Sequence, residues 1–260
     1  MTDTRLWDRA SRLPVPANGR RGAELAALPP GLPTVEQLFT FMRDAETRFQ
    51  TLRMRIDETS ATTRGDHRTI IETTLRHPAE AKVVTSEPDR GVAGNYEIWV
   101  SDGETVRTYS APNKLGTERP VRRSVVGLDD PDLPGMSTVY RPVTPLPMET
   151  LPDTFVHPAG YCQNVLATGA CRVVEFGLVD DRETIVVECD HPRTIEMAAD
   201  RPDFRIRLAA DRLDGVILRL EESIGGAVTR DARVIEYAPD ARLSPTAFDF
   251  TFPTGTTMLY

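Results

Sequence analysis

Four histidines, three cysteines and a scatter of acidic pairs are the groups in this 260-residue chain whose chemistry could amount to a site. The histidines are His67, His77, His157 and His191, and three stand directly before proline, at His77-Pro78, His157-Pro158 and His191-Pro192. Proline drives the preceding residue towards extended backbone, so these histidines belong at strand ends or loop corners. The paired-histidine spacing of a helical zinc site does not occur. The densest combination is "CDH" at 189–191, a thiol, a carboxylate and an imidazole in succession. Strand alternation would put Cys189 and His191 on one face and Asp190 on the other. A metal centre needs further ligands, and the flanking sequence offers no other Cys or His, so a strand end is expected and no metal is assigned.

The remaining candidates are weaker. Ser124, Ser137 and Ser223 lack the context of an activated nucleophile, and neither the Gly-x-Ser-x-Gly elbow nor a glycine-rich phosphate loop is present. The closing "PTGTT" has no following helix whose N-terminus could take a phosphate. Asp129, Asp130 and Asp132 lie in a proline-rich stretch and read as a solvated turn, while Asp180-Asp181 reads as a hairpin turn. Cys162 and Cys171 are close enough in sequence to pair in an oxidising compartment. An odd cysteine count favours buried free thiols instead. No cofactor is implied.

Charge narrows the partners. The net charge is -8, and because the first 33 residues carry a local +2, the rest carries -10. An acidic body lacks the basic face that nucleic acid requires. No apolar run approaches the roughly 20 residues of a spanning helix, so no transmembrane segment is expected. The opening "MTDTRLWDRASRLPVPANGRR" has no hydrophobic signal region. The expectation is therefore a cytoplasmic protein, or an extracytoplasmic one if a leader precedes this sequence.

The elements that would position these groups follow from periodicity. Residues 1–33 are rich in Pro, Arg, Ala and Gly and read as a loosely ordered arm. Thr34 and Gln37 form a capping box, and Leu38, Phe41, Met42 and Ala45 supply one apolar face of a helix over 35–48. The period then changes to two. Leu52, Met54 and Ile56 alternate with Arg53, Arg55 and Asp57, and further alternating runs with Gly65-Asp66 and Asp102-Gly103 turns make an antiparallel meander. "RPVRRSVVG" at 119–127 reads as its last strand. In "NYEIWVSDG", Tyr96, Ile98 and Val100 share a face opposite Trp99, which faces either a packed neighbour or a contact surface. Five prolines interrupt residues 128–148, and short helices are expected over 150–156 and 158–167, stopped by Gly169. A second meander follows. It contains a hairpin in which Phe204, Ile206 and Leu208 and, after the Asp214-Gly215 turn, Val216, Leu218 and Leu220 share one face. The chain would end on a strand with Phe248, Phe250 and Phe252 turned inward. About ten strands in one sheet should curl.

This order of elements, with "DRLDGVILRLEES" and "LSPTAFDFTFPTGT" as its most telling pieces, resembles the LolA-like superfamily over about residues 34–256. That superfamily includes outer-membrane lipoprotein carriers and a sensor that regulates anti-sigma-factor cleavage. The resemblance implies an α+β, mainly β fold. A large curved antiparallel sheet forms an unclosed β-barrel, with a leading helix and a short-helix lid on the concave side. Two regions are expected: the arm, 1–33, and a single half-barrel domain, 34–260. Members bind lipid moieties or proteins and are not enzymes. The arm has no counterpart in the family pattern, and members are normally exported.

The expected function is non-enzymatic binding of a lipid or other apolar ligand in the half-barrel cavity. The alternative is a protein-interaction or regulatory module of the same fold with a collapsed cavity. An enzyme on this scaffold would need convergent polar groups, which the sequence does not show. Leu38, Phe41, Met42, Met54, Phe155, Leu166, Phe248 and Phe250 are the residues expected to line the cavity or the core.

Overall fold

A computed structural model describes residues 25–63, 65–88, 95–121, 142–192 and 201–259. The loop carboxylates Asp129, Asp130 and Asp132, the serines Ser124 and Ser137, most of the expected arm and the end of the expected 119–127 strand lie outside these residues.

Helix α1 (Val35–Arg43) begins as the capping box dictates. The Thr34 hydroxyl accepts from the Gln37 amide at 3.2 Å, and the Gln37 side chain accepts from the Thr34 amide at 2.9 Å. The α-helix is shorter than expected, because from Ala45 to Arg48 the chain tightens into a 3-10 turn. Tightening rotates the following side chains relative to an α-helical face. Ala45 stays in the core, and Glu46 swings into it.

Twelve strands follow in one curved, unclosed sheet. The first meander is β1 (Thr51–Thr62), β2 (Gly65–Arg76), β3 (Glu80–Ser86), β4 (Tyr96–Asp102), β5 (Thr105–Ser110) and β6 (Leu115–Pro120). Helices α2 (Leu151–Val156) and α3 (Pro158–Asn164) and a 3-10 turn (Leu166–Thr168) then cross the concave face. The second meander is β7 (Ala170–Val179), β8 (Arg182–Asp190), β9 (Phe204–Asp211), β10 (Ile217–Ile224) and β11 (Ala227–Pro239). Strand β11 pairs with β1, so the meanders join at the strand with which the first one began.

Register sorts the side chains. Leu52, Met54 and Ile56 stand opposite Leu75, Thr73 and Ile71, and Ile56 stands opposite Val234 across the junction. Leu220 lies between Ala232 and Leu208, and Leu208 meets Val187. All are buried, and all but Thr73 belong to one continuous core. Leu208 stands opposite Leu220, and Phe204, Ile206, Val216 and Leu218 are buried in the same core. Asp180 and Asp181 both take positive φ, 48° and 60°, as a two-residue hairpin turn requires. Gly215, at φ 78°, closes the β9–β10 turn directly under α1. A Cβ there would approach Met42 Cα to 3.1 Å.

One expectation is refined and two are corrected. Gly169 stops the helical segment as expected, in extended backbone with φ -108° and ψ -178°. Its lack of a side chain matters for space, because a Cβ would come within 2.7 Å of both the Asp190 carbonyl oxygen and Cys189 Sγ. Secondly, His191 lies beyond the end of β8 at φ 51°, so strand alternation does not extend to it.

The third concerns the end of the chain. Residues 243–256 form no strand; their backbone bonds are local turns, from Ala247 N to Ser244 O and from Asp249 N to Thr246 O. Pro245 and Pro253 also lack the N–H that a ladder needs. The segment crosses the outer face of the first meander as a belt. Arg76 lies 5.1 Å from the Phe248 ring, Phe250 packs on Tyr109 at 6.2 Å, and Phe252 meets Phe250 edge-on at 5.1 Å. Only β12 (Thr257–Leu259) is a strand, and it pairs parallel with the edge strand β6.

Candidate functional site

The space between the sheet and its helices is where the expected site residues can be judged. Leu38 and Met42 from α1, Met54 from β1, Phe155 from α2 and Leu166 from the 3-10 turn come together in the continuous core, and each is buried. Phe41 is also buried, with the Arg48 guanidinium 4.1 Å from its ring centroid. Phe248 and Phe250 are not with them. Their partners Arg76 and Tyr109 belong to the face opposite Leu75 and Trp99, so the belt aromatics stand on the far side of the sheet from the helices. Phe248 is buried there and Phe250 half-buried. Trp99 is half-buried against the inner core, and Tyr96 meets Tyr109 at 6.1 Å under the outer belt.

The helices are fastened by a buried polar cluster. His157, at the end of α2, contacts Glu46 through Nε2 at 3.1 Å and Asp153 through Nδ1 at 2.9 Å. Glu46 also accepts from the Val143 amide at 2.9 Å and lies within 3.4 Å of the Thr144 amide. The Thr144 hydroxyl accepts from the Ala79 amide at 3.0 Å and bonds His77 Nδ1 at 2.6 Å. His77 in turn stacks on Phe49, with centroids 5.6 Å apart. Four distant pieces of chain, at 46, 77–79, 143–144 and 153–157, are thereby tied together.

The two imidazoles are held differently. Burial pulls the His157 pKa down, but the Glu46 and Asp153 carboxylates outweigh it and push the value up to about 9. His77 has no such pair of carboxylates beside it, so burial prevails and lowers its pKa against the opposing pull of Glu46. His157 is thus a buried imidazolium at neutral pH, and His77 is a neutral ring. Both are enclosed. A buried ion pair with its remaining lone pairs satisfied fixes geometry, and removing one partner strands the other charge.

A second cluster lies beneath α1. Arg182 contacts Asp211 at 2.6 Å and Asp214 at 3.1 Å, and the Tyr237 hydroxyl donates to Asp214 at 3.0 Å. Burial raises the pKa of Asp214 and pushes that of Tyr237 well up. Arg48 donates to the carbonyl of Ala26, and Arg212 to that of Pro30, so residues 25–33 lie against the body.

On the outer face of the second meander a groove of about 390 Å³ is lined by Arg172, Glu188, Asp190, Arg205, Arg207 and Glu221. Its cations are already engaged. Arg172 bonds Asp190 at 3.0 Å and also bonds Glu188, Arg205 contacts Asp190 at 2.9 Å, and Arg207 pairs with Glu175 at 2.6 Å and with Glu188. This lining does not suit an apolar guest. Among the described residues no group of three or more His, Cys, Asp or Glu is placed to hold a metal ion. No described helix is long and apolar enough to cross a membrane.

Sequence reasoning missed the Glu46–His157 fastening. Two signals pointed towards it: His-Pro pairs at two loop corners, and Asp153 four residues before His157 on one helical face. The partner, Glu46, was hidden by its expected place on an α-helix.

Comparison with known proteins gives no family profile that matches this sequence and no curated protein that matches it. Several solved structures are similar over most of this chain. The structure of MucB is 12% identical, covering 84% of this chain and 62% of that one, with a TM-score of 0.46. An uncharacterised conserved protein from Thermus thermophilus is 10% identical over 86% of this chain and 98% of its own, with a TM-score of 0.46. A LolA superfamily protein from Nitrosomonas europaea is 11% identical over 84% of this chain and 98% of its own, with a TM-score of 0.31.

Proposed function

We propose that this protein is a non-enzymatic binding module, and that it works through contacts with another protein, its half-barrel interior being filled. The observation that carries this reading is the packing between helices and sheet. Leu38, Met42, Met54, Phe155 and Leu166 occupy that space as one continuous core, fastened by Glu46 and His157. An acyl-binding cavity would leave such side chains lining a void. Partner recognition then falls to the exterior. There the edge strand β7 bears Phe176 at 43% and Leu178 at 71% exposure, and the described residues place no strand beside its outer edge. An edge strand with exposed apolar side chains is suited to strand addition by an extended segment of a partner.

A second reading, an apolar ligand or lipid between helices and sheet, draws on one observation. Helices α2 and α3 are only six and seven residues long, and neither has a side-chain cap at its N-terminus. Short uncapped helices are held mainly by packing and can move as a unit. Leu38, Phe41, Met42, Met54, Phe155 and Leu166 would then line the opened space.

Native mass spectrometry of gently purified protein, followed by organic extraction, separates the two. The interaction reading predicts a clean apo mass and no mass gain when phospholipid vesicles or free fatty acids are added. A co-purifying acyl species that is lost on delipidation and regained on addition would overturn it in favour of the second.

A further inference from the structure

The three cysteines converge on one spot. Cys162 comes from α3, Cys171 from β7 and Cys189 from β8, and all are free thiols. Cys171 and Cys189 are direct register partners across the β7–β8 pair. Opposite residues in an antiparallel pair project from the same face. That face is the inner one, because the next partner of Cys189 is the core residue Ile206. Both thiols donate to a single acceptor, the Leu166 carbonyl oxygen, at 3.1 Å from Cys171 and 3.3 Å from Cys189. The bare Cα of Gly169 leaves room for the Cys189 sulfur. Opposite antiparallel residues have Cα atoms roughly 4.5–5.5 Å apart, which lies within the span a disulfide bridges.

We propose that Cys171 and Cys189 form a dithiol–disulfide couple, oxidised by a small soluble disulfide that Cys171 attacks first. Access and environment assign the roles. Cys171 is partly exposed, whereas Cys189 and Cys162 are buried. The adjoining Cys189 sulfur holds the Cys171 thiol below its usual pKa. The same closeness, reinforced by burial, pushes that of Cys189 up. Burial also pushes up the Cys162 thiol, leaving it a bystander.

With oxidised glutathione as the oxidant, the Cys171 thiolate attacks one glutathione sulfur. A protein–glutathione S–S bond forms, the glutathione S–S bond breaks, and one glutathione thiolate leaves. Cys189 then passes its proton to solvent and attacks Cys171 Sγ. The Cys171–Cys189 bond forms as the second glutathione thiolate departs. Two protein thiols are oxidised by two electrons, one glutathione disulfide is reduced to two thiols, and the two protons end on those thiols. The cross-link ties the edge strand β7 to its neighbour and removes both S–H donors from Leu166, at the turn that leads out of α3.

The test incubates the full chain with oxidised glutathione and maps its peptides under non-reducing conditions. The expected product is lighter by about 2 Da and contains a Cys171–Cys189 linked peptide. Cys162→Ser should give the same link, and Cys189→Ser should instead accumulate glutathione on Cys171. Cys171→Ser should react at least ~10-fold more slowly, since only buried thiols remain. Three thiols still free under conditions that oxidise the unfolded chain, or a link through Cys162, would overturn the proposal. So would wild-type protein that stops at the glutathione adduct.

Discussion

The two halves of the sheet share one inner core but finish their outer surfaces in opposite ways. Over β2–β6 the outside is covered by the aromatic belt of Phe248, Phe250 and Phe252, and the edge strand β6 is paired by β12. Over β7–β11 the outside is a ladder of ion pairs, from Arg172–Glu188 and Arg207–Glu175 to Arg219–Asp231. The first solution buries apolar area, which scales with the surface removed from water. The second leaves charges in solvent, where each pair contributes little and salt weakens it. The chain has thus sealed one edge with its own tail, while β7 forms the last strand on the other side. That asymmetry locates stability on the inner face and the belt and, on the proposed function, recognition at the β7 side.

The sharpest way to break this comparison is to hollow out what the halves share. Phe155→Ala should cost about 3–5 kcal/mol in denaturant unfolding, because Phe155 is wholly enclosed and its neighbours cannot collapse fully onto the gap. A much smaller loss would mean that the helices sit loosely on the sheet.

Next comes the fastening. The folded pKa of His157, about 9, lies above the unfolded value of about 6.5. Its contribution is therefore fully present below pH 6.5 and lost as pH rises through 9. Stability should fall by a few kcal/mol between pH 7 and pH 10. Glu46→Gln should flatten that dependence while lowering stability at pH 7, as chemical denaturation across pH would report.

The belt comes third. A Cβ on Gly116 would lie 2.7 Å from the Phe252 ring, so Gly116→Ala should displace the belt at a cost of about 1–3 kcal/mol. Hydrogen exchange should then quicken at β6 and β12 and stay unchanged at β8 and β9. Phe250→Ala, on a half-buried ring, should cost less than Phe155→Ala, about 1–2 kcal/mol. The smallest effect belongs to the ladder. Arg207→Met should lose no more than about 1 kcal/mol, and the loss should shrink further in high salt.

Much of the fold was legible because its signals are local. The Thr34–Gln37 capping box, the alternation in β1 and the Asp-Gly turns each act within a few residues, and each formed as expected. The terminal alternation of Phe248, Phe250 and Phe252 misled because period two records which side chains are apolar, not what satisfies the backbone. A belt lying across a sheet and a strand within it share that pattern. The β1–β11 junction and the parallel β12 were illegible, since they join residues far apart in the chain by no local rule. Glu46 was unreadable for another reason: a change from α to 3-10 winding at Ala45 turned a polar-face residue inward. Of the eight residues expected at the cavity or core, five join the continuous core between helices and sheet and Phe41 is buried against Arg48. Phe248 and Phe250 are placed on the other face by the belt's path.

The central claim is that the space between helices and sheet is filled. Titration of the full chain at neutral pH with a dansyl-labelled fatty acid tests it most directly. The packed core of Leu38, Met42, Met54, Phe155 and Leu166 predicts no saturable rise in dansyl emission. Saturable binding of one probe per chain, abolished by a bulky substitution such as Leu166→Trp, would show that the helices open and would contradict the account.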